Sequence, residues 1–481
     1  MSASARVSPT GPSASGFTAD VLVVGAGPTG LLLAGDLAAA GVRVVVLEKR
    51  VEESNLTRAF AIHARTLEVL DARALAEPLI ATGTFLPGVR LPGGTRVGMT
   101  ALDSRFPGIL ITPQYELEGL LEERALTAGA DIRRGARVTG LRQDAEGVDV
   151  DVAPAEEGGE TVTHRARYVV GADGVRSAVR EAIGMPFPGR SVLRSVMLAD
   201  VRLDAAPDEV PAFRGTPEGF AFVVPFGDGW YRVIAWDRSE DLPSSAPVDF
   251  ENLKAVTRAA FGKDFGMRDP RWTSRFHSDE RQVPRYRDGR VFLAGDAAHV
   301  HSPAGGLGLN AGVQDAANLG WKLAAVLAGR GGEPLLDSYH DERHPVGAMV
   351  LRVSGALVRA ALASTPATRG VRNVVGTVAR LAPFAVRRAA LYVSGIGIHY
   401  PAPPGSHPLT GRRAPDLPLA ELDGRPSRLY EALRAGTYVR VVPRGVDGKD
   451  EPDVLTVTRA DAQRTTLLVR PDGYVESASE G

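Results

Sequence analysis

The patterned part of this 481-residue chain begins with a short apolar run, Val21-Leu22-Val23-Val24, that stops at Gly25. A run without alternation predicts a strand covered on both faces, as in a parallel sheet. Leu31 to Ala40 is small and apolar and predicts a helix, and Val42 to Leu47 predicts a second buried strand. Together they form a βαβ unit. Arg65 to Leu75 predicts an amphipathic helix, Gly83 to Ser104 a glycine-rich irregular stretch, and Gln114 to Ala128 another helix. Ala130 to Val152 supplies strand-like pieces, and Ala166 to Gly171 a short buried strand. From Phe187 to Phe276 the texture changes to alternation, as in Phe220-Ala221-Phe222-Val223-Val224 and in Trp230 to Trp236. Such alternation predicts an antiparallel sheet with one face open. Around Arg290 the βα texture returns: a strand from Val291 to Ala294, a glycine-rich loop, then a long helix to about Leu327. Helices dominate up to Tyr400, Pro401 to Pro408 predicts a linker, and Leu419 to Gly481 mixes strands with a helix.

These textures divide the chain. We expect a disordered tail over residues 1–18 and an α/β domain in two parts, 19–186 and 279–400. The first part makes an excursion at about 81–108 into an antiparallel-sheet domain at 187–278. A small C-terminal domain occupies 401–481. The 44% hydrophobic and 23% charged composition is ordinary for such domains. A net charge of −1 gives no bulk basicity to hold a polyanion, so nucleic acid is not an expected partner. With no cysteine there is no disulfide, no thiol catalysis and no Cys-ligated metal, which fits a reducing cytoplasm. The most apolar stretch, Val374 to Ile398, is broken by Arg380, Arg387 and Arg388, so no membrane span of ~20 residues is expected.

Three motifs carry chemistry. Gly25-Ala26-Gly27-Pro28-Thr29-Gly30 follows a strand and opens a helix, with Glu48 at the end of the next strand. In that context Gly25 permits the turn, Gly27 lets a pyrophosphate approach the backbone, and Gly30 packs helix against sheet. The helix N-terminus favours phosphate charge, and Glu48 can accept ribose hydroxyls. An acid there, with no pocket for a 2′-phosphate, points to FAD or NAD. The second motif is Gly295-Asp296-Ala297-Ala298-His299, at the C-terminal end of a strand, followed by Pro303-Ala304-Gly305-Gly306-Leu307-Gly308-Leu309-Asn310. Asp296 can accept hydrogen bonds from a polyol, and the helix N-terminus after it offers N–H groups to a developing negative charge. The third is Gly171-Ala172-Asp173-Gly174-Val175-Arg176-Ser177, which alone reads as a turn.

In this order the three motifs resemble the group A flavoprotein aromatic hydroxylases of the para-hydroxybenzoate hydroxylase type. The nearest likeness is to bacterial aromatic-polyketide and phenol monooxygenases. Thr57-Arg58-Ala59, Arg65 to Leu70, Pro113-Gln114 with Glu118, and Gly312 to Leu323 share the resemblance. It implies a Rossmann-like FAD-binding domain, an antiparallel-sheet substrate domain and a thioredoxin-like C-terminal domain. It further implies that Gly25, Gly27, Pro28, Thr29, Gly30, Glu48 and Lys49 hold the adenosine diphosphate half of FAD. Arg58 and Gln114 would face the flavin half, and Asp173 would belong to the motif shared by FAD and nicotinamide nucleotide. Gly295 and Asp296 would take the ribityl chain, with Gly305, Gly306, Gly308, Leu309 and Asn310 beside the ring. The implied reaction hydroxylates an aromatic small molecule with NADPH or NADH and O₂, through a hydroperoxide on flavin C4a. Phe222, Val224, Trp236 and Pro303 are the expected substrate contacts, and no catalytic base is identified. The chain departs from the family pattern at Leu307 and Ala311, where relatives often carry Gln and Thr.

Other readings stay in view. A Baeyer–Villiger or antibiotic-inactivating oxygenase uses the same scaffold, since fold does not fix reaction. A non-catalytic flavin- or ligand-binding protein is the alternative of another class. A flavin halogenase is excluded, because its Trp-x-Trp motif and essential lysine are missing. His299, His301, His340 and His344 invite a metal, but the ligand spacing is wrong, and solvent-facing or loop-anchoring histidines are expected. A monomer or homodimer is expected.

Overall fold

The computed structural model describes residues 18–52, 59–90, 96–155, 159–208, 210–226, 229–362, 383–420, 424–446 and 451–480. The expected tail lies almost wholly outside these residues, as does Arg58.

The buried runs of the sequence become the middle of an eight-stranded sheet. Its central order is Val291–Leu293, Val162–Gly171, Ala19–Val24, Val44–Glu48 and Asp131–Arg134, all parallel neighbours. The antiparallel strands Ala136–Gln143 and Val148–Pro154 branch from Val162–Gly171. Helix Pro28–Ala39 lies between this sheet and two further helices, Gln114–Thr127 and Leu307–Leu327. It starts three residues before the sequence pattern suggested, because Pro28 at the first helical turn lacks only an N–H that would be unpaired anyway. The helix predicted from Arg65 to Leu75 spans Ala64–Asp71, ending four residues early, and a separate short helix, Ala76–Ile80, follows it.

The alternating segment forms an antiparallel six-stranded sheet, ordered Ala212–Gly215, Gly219–Pro225, Tyr231–Asp237, Gly189–Arg202, Arg268–Gln282 and His299–Val300. The last strand belongs to the second motif, so this sheet reaches directly into the first domain. Neither face is open, which corrects the sequence expectation. Val223, Val233, Ala235, Met197 and Ala199 pack under helix Phe250–Phe261. Asp249 caps that helix on Glu251 N at 3.0 Å, and Gly262 ends it in the left-handed region. Those caps are sequence signals that the alternation around them obscured. The other face carries Phe220, Phe222, Ile234 and Trp236 and packs toward Phe60 and Ala304.

Residues 81–108 are not wholly irregular: Thr84–Leu86 pairs with Ile109–Ile111 and, through it, with Ala61–His63. Val97, Met99 and Leu102 share an apolar cluster with Val224. In the C-terminal unit the sheet order is Val454–Thr458, Tyr438–Val442, Thr465–Val469, Val475–Glu480. The first two strands are parallel and the remaining pairs antiparallel, around a separate small core.

Candidate functional site

The glycines of the first motif each meet a different constraint. A Cβ on Gly25, whose φ is +105°, would overlap the carbonyl of Ala172. One on Gly30 would overlap the carbonyl of Gly25. One on Gly27 would meet nothing within 4 Å. Gly25 and Gly30 are therefore required by the protein's own packing, whereas Gly27 faces an open cradle. Helix Pro28–Ala39 starts there with no side-chain cap and no acid in its first turn, so its N-terminal field is left for a bound anion.

The three motifs converge. Ala172 N donates to Val24 O at 2.8 Å, and Ala294 N donates to Gly171 O at 2.9 Å. Thr29 fills the notch between two glycines: a Cβ on Gly295 would lie 2.8 Å from its hydroxyl, and one on Gly312 would overlap it. Its side chain is thus a packing element. Asp173 is half-buried; Oδ2 accepts from Val179 N at 3.2 Å, while the buried Oδ1 has no hydrogen-bond partner. Burial raises its pKa against the bonds around it.

At the far end of the second strand of the βαβ unit, Glu48 is buried. Its Oε2 accepts from Ala26 N at 2.8 Å, and its Oε1 accepts from Arg50 N at 2.9 Å and Nε at 3.0 Å. Burial opposes the charge, but these bonds win and hold the carboxyl below its usual range. Lys49 is exposed and Arg50 is the cation on Glu48, an arrangement sequence reasoning missed. Gln114 starts its helix, accepting from Ala59 N at 3.2 Å and donating to Glu118 at 2.7 Å.

The Gly295-Asp296 turn is held from beneath. Asp315, fully buried on helix Leu307–Leu327, accepts from Gly295 N at 3.1 Å, His299 Nε2 at 2.7 Å and Arg343 Nε at 2.7 Å. Burial works against the Asp315 carboxylate, and Arg343 and His299 more than offset it, lowering its pKa. Above that anchor Ala294, Ala297 and Ala298 are buried, while Asp296 is exposed. His299 and His301 are loop anchors, but buried ones, at 1% and 9% exposure, which corrects the solvent-facing half of the expectation. Among the described residues no group of three or more ligands could hold a metal.

Beyond the turn, Gly305 and Gly306 both have positive φ, and Gly306 caps the long helix without any side-chain bond. Pro303 is exposed and Leu309 half-buried. Asn310 is spent on structure: its Oδ1 accepts from His63 N, and its Nδ2 donates to Ala61 O and Gly306 O, all within 2.7–2.8 Å. Leu307 and Ala311 pack with Val346, Val350 and Ile398. The two departures from the family pattern are therefore apolar packing choices toward helix Glu333–Ala361.

On the sheet face toward this loop, Phe222 lies 6.3 Å from Phe60, and Phe220 stacks on Trp236 at 6.0 Å. Trp236 Nε1 donates to Arg194 O at 2.9 Å, and Val224 is fully buried. Arg232 is fully buried on the same face and pairs bidentately with Asp200 at 2.8 and 3.0 Å.

The Arg65 to Leu70 motif has a different task. Arg65 donates to Glu68 at 3.0 Å, to the Tyr430 hydroxyl at 2.8 Å and to the Asp472 carbonyl at 2.5 Å, tying its helix to the C-terminal unit. A second tie links Glu342 with Lys322 at 2.8 Å and Arg470 at 2.7 Å. Burial would raise the Glu342 pKa, but Arg470 and Lys322 pull it down to about 2. Its folded value lies below the unfolded one, so its stabilisation is complete above about pH 4.5 and is lost as pH falls toward 2. We predict that wild-type protein loses unfolding free energy through this window and that Glu342→Gln does so less steeply, read from denaturant titrations at stepped pH.

Comparison with known proteins places this geometry. The family described as "FAD binding domain" matches residues 18–354. Rifampicin monooxygenase of Streptomyces venezuelae is 41% identical over 479 residues, covering 96% of each chain. Among solved structures, the anhydrotetracycline hydroxylase from Streptomyces rimosus superposes with a TM-score of 0.83 at 38% identity. An aromatic hydroxylase from angucycline biosynthesis gives 0.84 at 37%, and each of the two covers 96% of both chains. The chain belongs to the FAD-dependent monooxygenases, within the branch that holds the aromatic hydroxylases. Its mixed α/β fold matches theirs, and no helix among the described residues is long and apolar enough to cross a membrane.

The residues present fit the cofactor. Gly27 leaves open space, the helix behind it is uncapped, Asp296 is exposed and the Gly305–Gly306 turn has positive φ, so these positions could take a phosphate, a polyol and a ring.

Proposed function

We propose that this protein hydroxylates a flat phenolic or polyketide small molecule, using FAD, O₂ and NADPH or NADH. The observation that carries this reading is the aromatic sheet face of Phe220, Phe222 and Trp236, which packs toward Phe60 and Ala304 beside the Gly305–Gly306 turn. Held by these residues, FAD would supply the redox chemistry: two electrons taken from the nicotinamide as hydride would allow one atom of O₂ to enter the ring and the other to leave as water. The protein's own part is to bind, orient and exclude water. Gly25 to Gly30 and Glu48 hold the adenosine end, and Asp296 takes the ribityl hydroxyls. The amides after Gly305 meet negative charge on the ring. Phe222, Trp236 and Pro303 bound the substrate, and aromatic walls favour a planar electron-rich ring; Val224, expected as a further contact, is fully buried in the cluster with Val97 and Met99 and acts as core. The two-part α/β domain, the sheet domain and the C-terminal unit act as FAD, substrate and thioredoxin-like modules. The last reading is supported by the strand order of that unit; lacking cysteine, it serves as a scaffold.

The test is NAD(P)H oxidation and O₂ uptake by the FAD-loaded protein over a panel of polycyclic phenols. The expected product gains one oxygen as a hydroxyl. A ring-expanded lactone would show Baeyer–Villiger chemistry instead, and NAD(P)H consumption indifferent to every phenol would count against the assignment. Phe222→Ala is predicted to raise the aromatic substrate's KM by roughly tenfold, on the order of 1.4 kcal/mol. FAD affinity should be unchanged, which a fluorescence titration checks.

A further inference from the structure

Behind the Gly305–Gly306 turn is a cavity of about 20 Å³ whose lining includes His63, Asn310, Ala311, Gln314 and Met349. Two of these residues present polar atoms that are buried and have no hydrogen-bond partner: His63 Nδ1 and Gln314 Oε1. The chemistry of the first is fixed by the other side of its ring. His63 Nε2 lies 2.9 Å from the carbonyl oxygen of Gly305. A carbonyl only accepts, so Nε2 carries the proton and Nδ1 is a bare acceptor. An amide oxygen is also an acceptor. Both atoms are buried acceptors without a partner, on two residues that line the same cavity, a combination that calls for a donor.

We propose that this cavity is a built site for one water molecule, which donates one hydrogen to His63 Nδ1 and the other to Gln314 Oε1. A cavity of this size suffices for one water, which needs roughly 10–15 Å³. Leu307, Val346, Val350 and Ile398 give the cavity an apolar side, and Tyr392 and Ser394 also line it. Dioxygen would suit those walls but brings no hydrogen to either acceptor. Asn310 needs nothing from the water, since His63 N, Ala61 O and Gly306 O already satisfy it.

The water makes His63 a positioning residue. By claiming Nδ1 it keeps the ring in the tautomer whose Nε2–H grips Gly305, and so fixes the turn that carries the long helix's leading amides. Burial is the larger influence on the ring's charge and pushes its pKa down to about 4, against the bonds to the Gly305 and Gly306 backbone. The imidazole is therefore neutral near neutral pH. The water site itself is independent of the flavin reading; only its consequence for the ring rests on it.

A crystal structure of the FAD-bound protein at a resolution that shows waters tests the site. An ordered water within hydrogen-bond distance of both His63 Nδ1 and Gln314 Oε1 is the expected result. A dry cavity, or Gln314 turned so that Nε2 donates straight to His63, would overturn it. Imidazole ¹⁵N spectra, taken with and without FAD, should show a pyridine-like Nδ1 and a pyrrole-like Nε2 on His63 near neutral pH; the opposite tautomer would also overturn it. For the consequence, His63→Leu should shift the visible spectrum of bound FAD, and His63→Gln, which can still donate to Gly305, should restore it. A wild-type spectrum in a folded His63→Leu protein would refute the positioning role while leaving the flavin assignment standing.

Discussion

Gly27→Val is expected to yield a folded protein that has lost its hold on FAD, whereas Gly30→Val is expected to damage the fold itself. The two glycines sit three residues apart in one motif, yet their surroundings differ in kind. At Gly27 an added Cβ meets no protein atom within 4 Å, so the extra methyls intrude only on whatever occupies the cradle. Overpacking of that sort costs ~1–3 kcal/mol, or from about fivefold to about a hundredfold in FAD affinity. At Gly30 the Cβ would overlap the Gly25 carbonyl and lie 3.3 Å from Val23 Cγ1. Neither neighbour can retreat, because Gly25 N is bonded to Leu47 O at 2.8 Å and Val23 is wholly buried. Thermal melts and FAD titrations of the two variants separate the effects. If Gly27→Val unfolded as readily as Gly30→Val, or bound FAD as the wild type does, the cradle would be misassigned.

Asp315→Ala is expected to carry the largest stability cost of any side-chain truncation near the site. Its carboxylate gathers three donors, from Gly295, His299 and Arg343, and all of its surroundings are buried. Removing it leaves Arg343 at 1% exposure without its counter-charge. Breaking a buried pair this way costs ~3–5 kcal/mol. The same change frees the Gly295 amide, so the turn presenting Asp296 loosens and FAD affinity falls with stability. Asp315→Asn keeps an acceptor of the same shape and should lose distinctly less of both. Denaturant unfolding of the apo-proteins, set beside FAD titration of each, is the measurement. An Asp315→Ala protein within 1 kcal/mol of wild type would show that the cluster is not the anchor described.

Much of this was legible in the residues themselves. Val21 to Val24 and Val42 to Leu47 announced a parallel sheet because strands buried on both faces have no polar side to show. The three motifs named their places because a strand end, a glycine and a helix start can be joined in few ways. What could not be read was pairing across distance. Nothing in the sequence around Thr29 says that it fills the notch made by Gly295 and Gly312. Nothing near Arg65 says that it reaches Tyr430 and Asp472, more than 360 positions on. Helix Phe250–Phe261 was missed for another reason: it buries only one side, and alternating strands on either side set the expected period. Its caps, Asp249 and Gly262, were the local signal.

The Arg65 and Glu342 ties also change how the C-terminal unit is understood. The Arg65 tie is made of hydrogen bonds and the Glu342 tie of buried ion pairs, which are weak sources of net stability but costly when one partner is lost. They make the unit a fixed part of the wall behind helix Leu307–Leu327, the helix that starts at the Gly305–Gly306 turn.

The most direct measurement is a titration of flavin-free protein with FAD, followed by absorbance and calorimetry. One FAD taken up per chain, with an affinity that falls in Gly27→Val and in Asp296→Ala while the fold survives, is the predicted result. A correctly folded wild-type protein that takes up no FAD, or that binds it equally well when both of those positions are changed, would contradict the account.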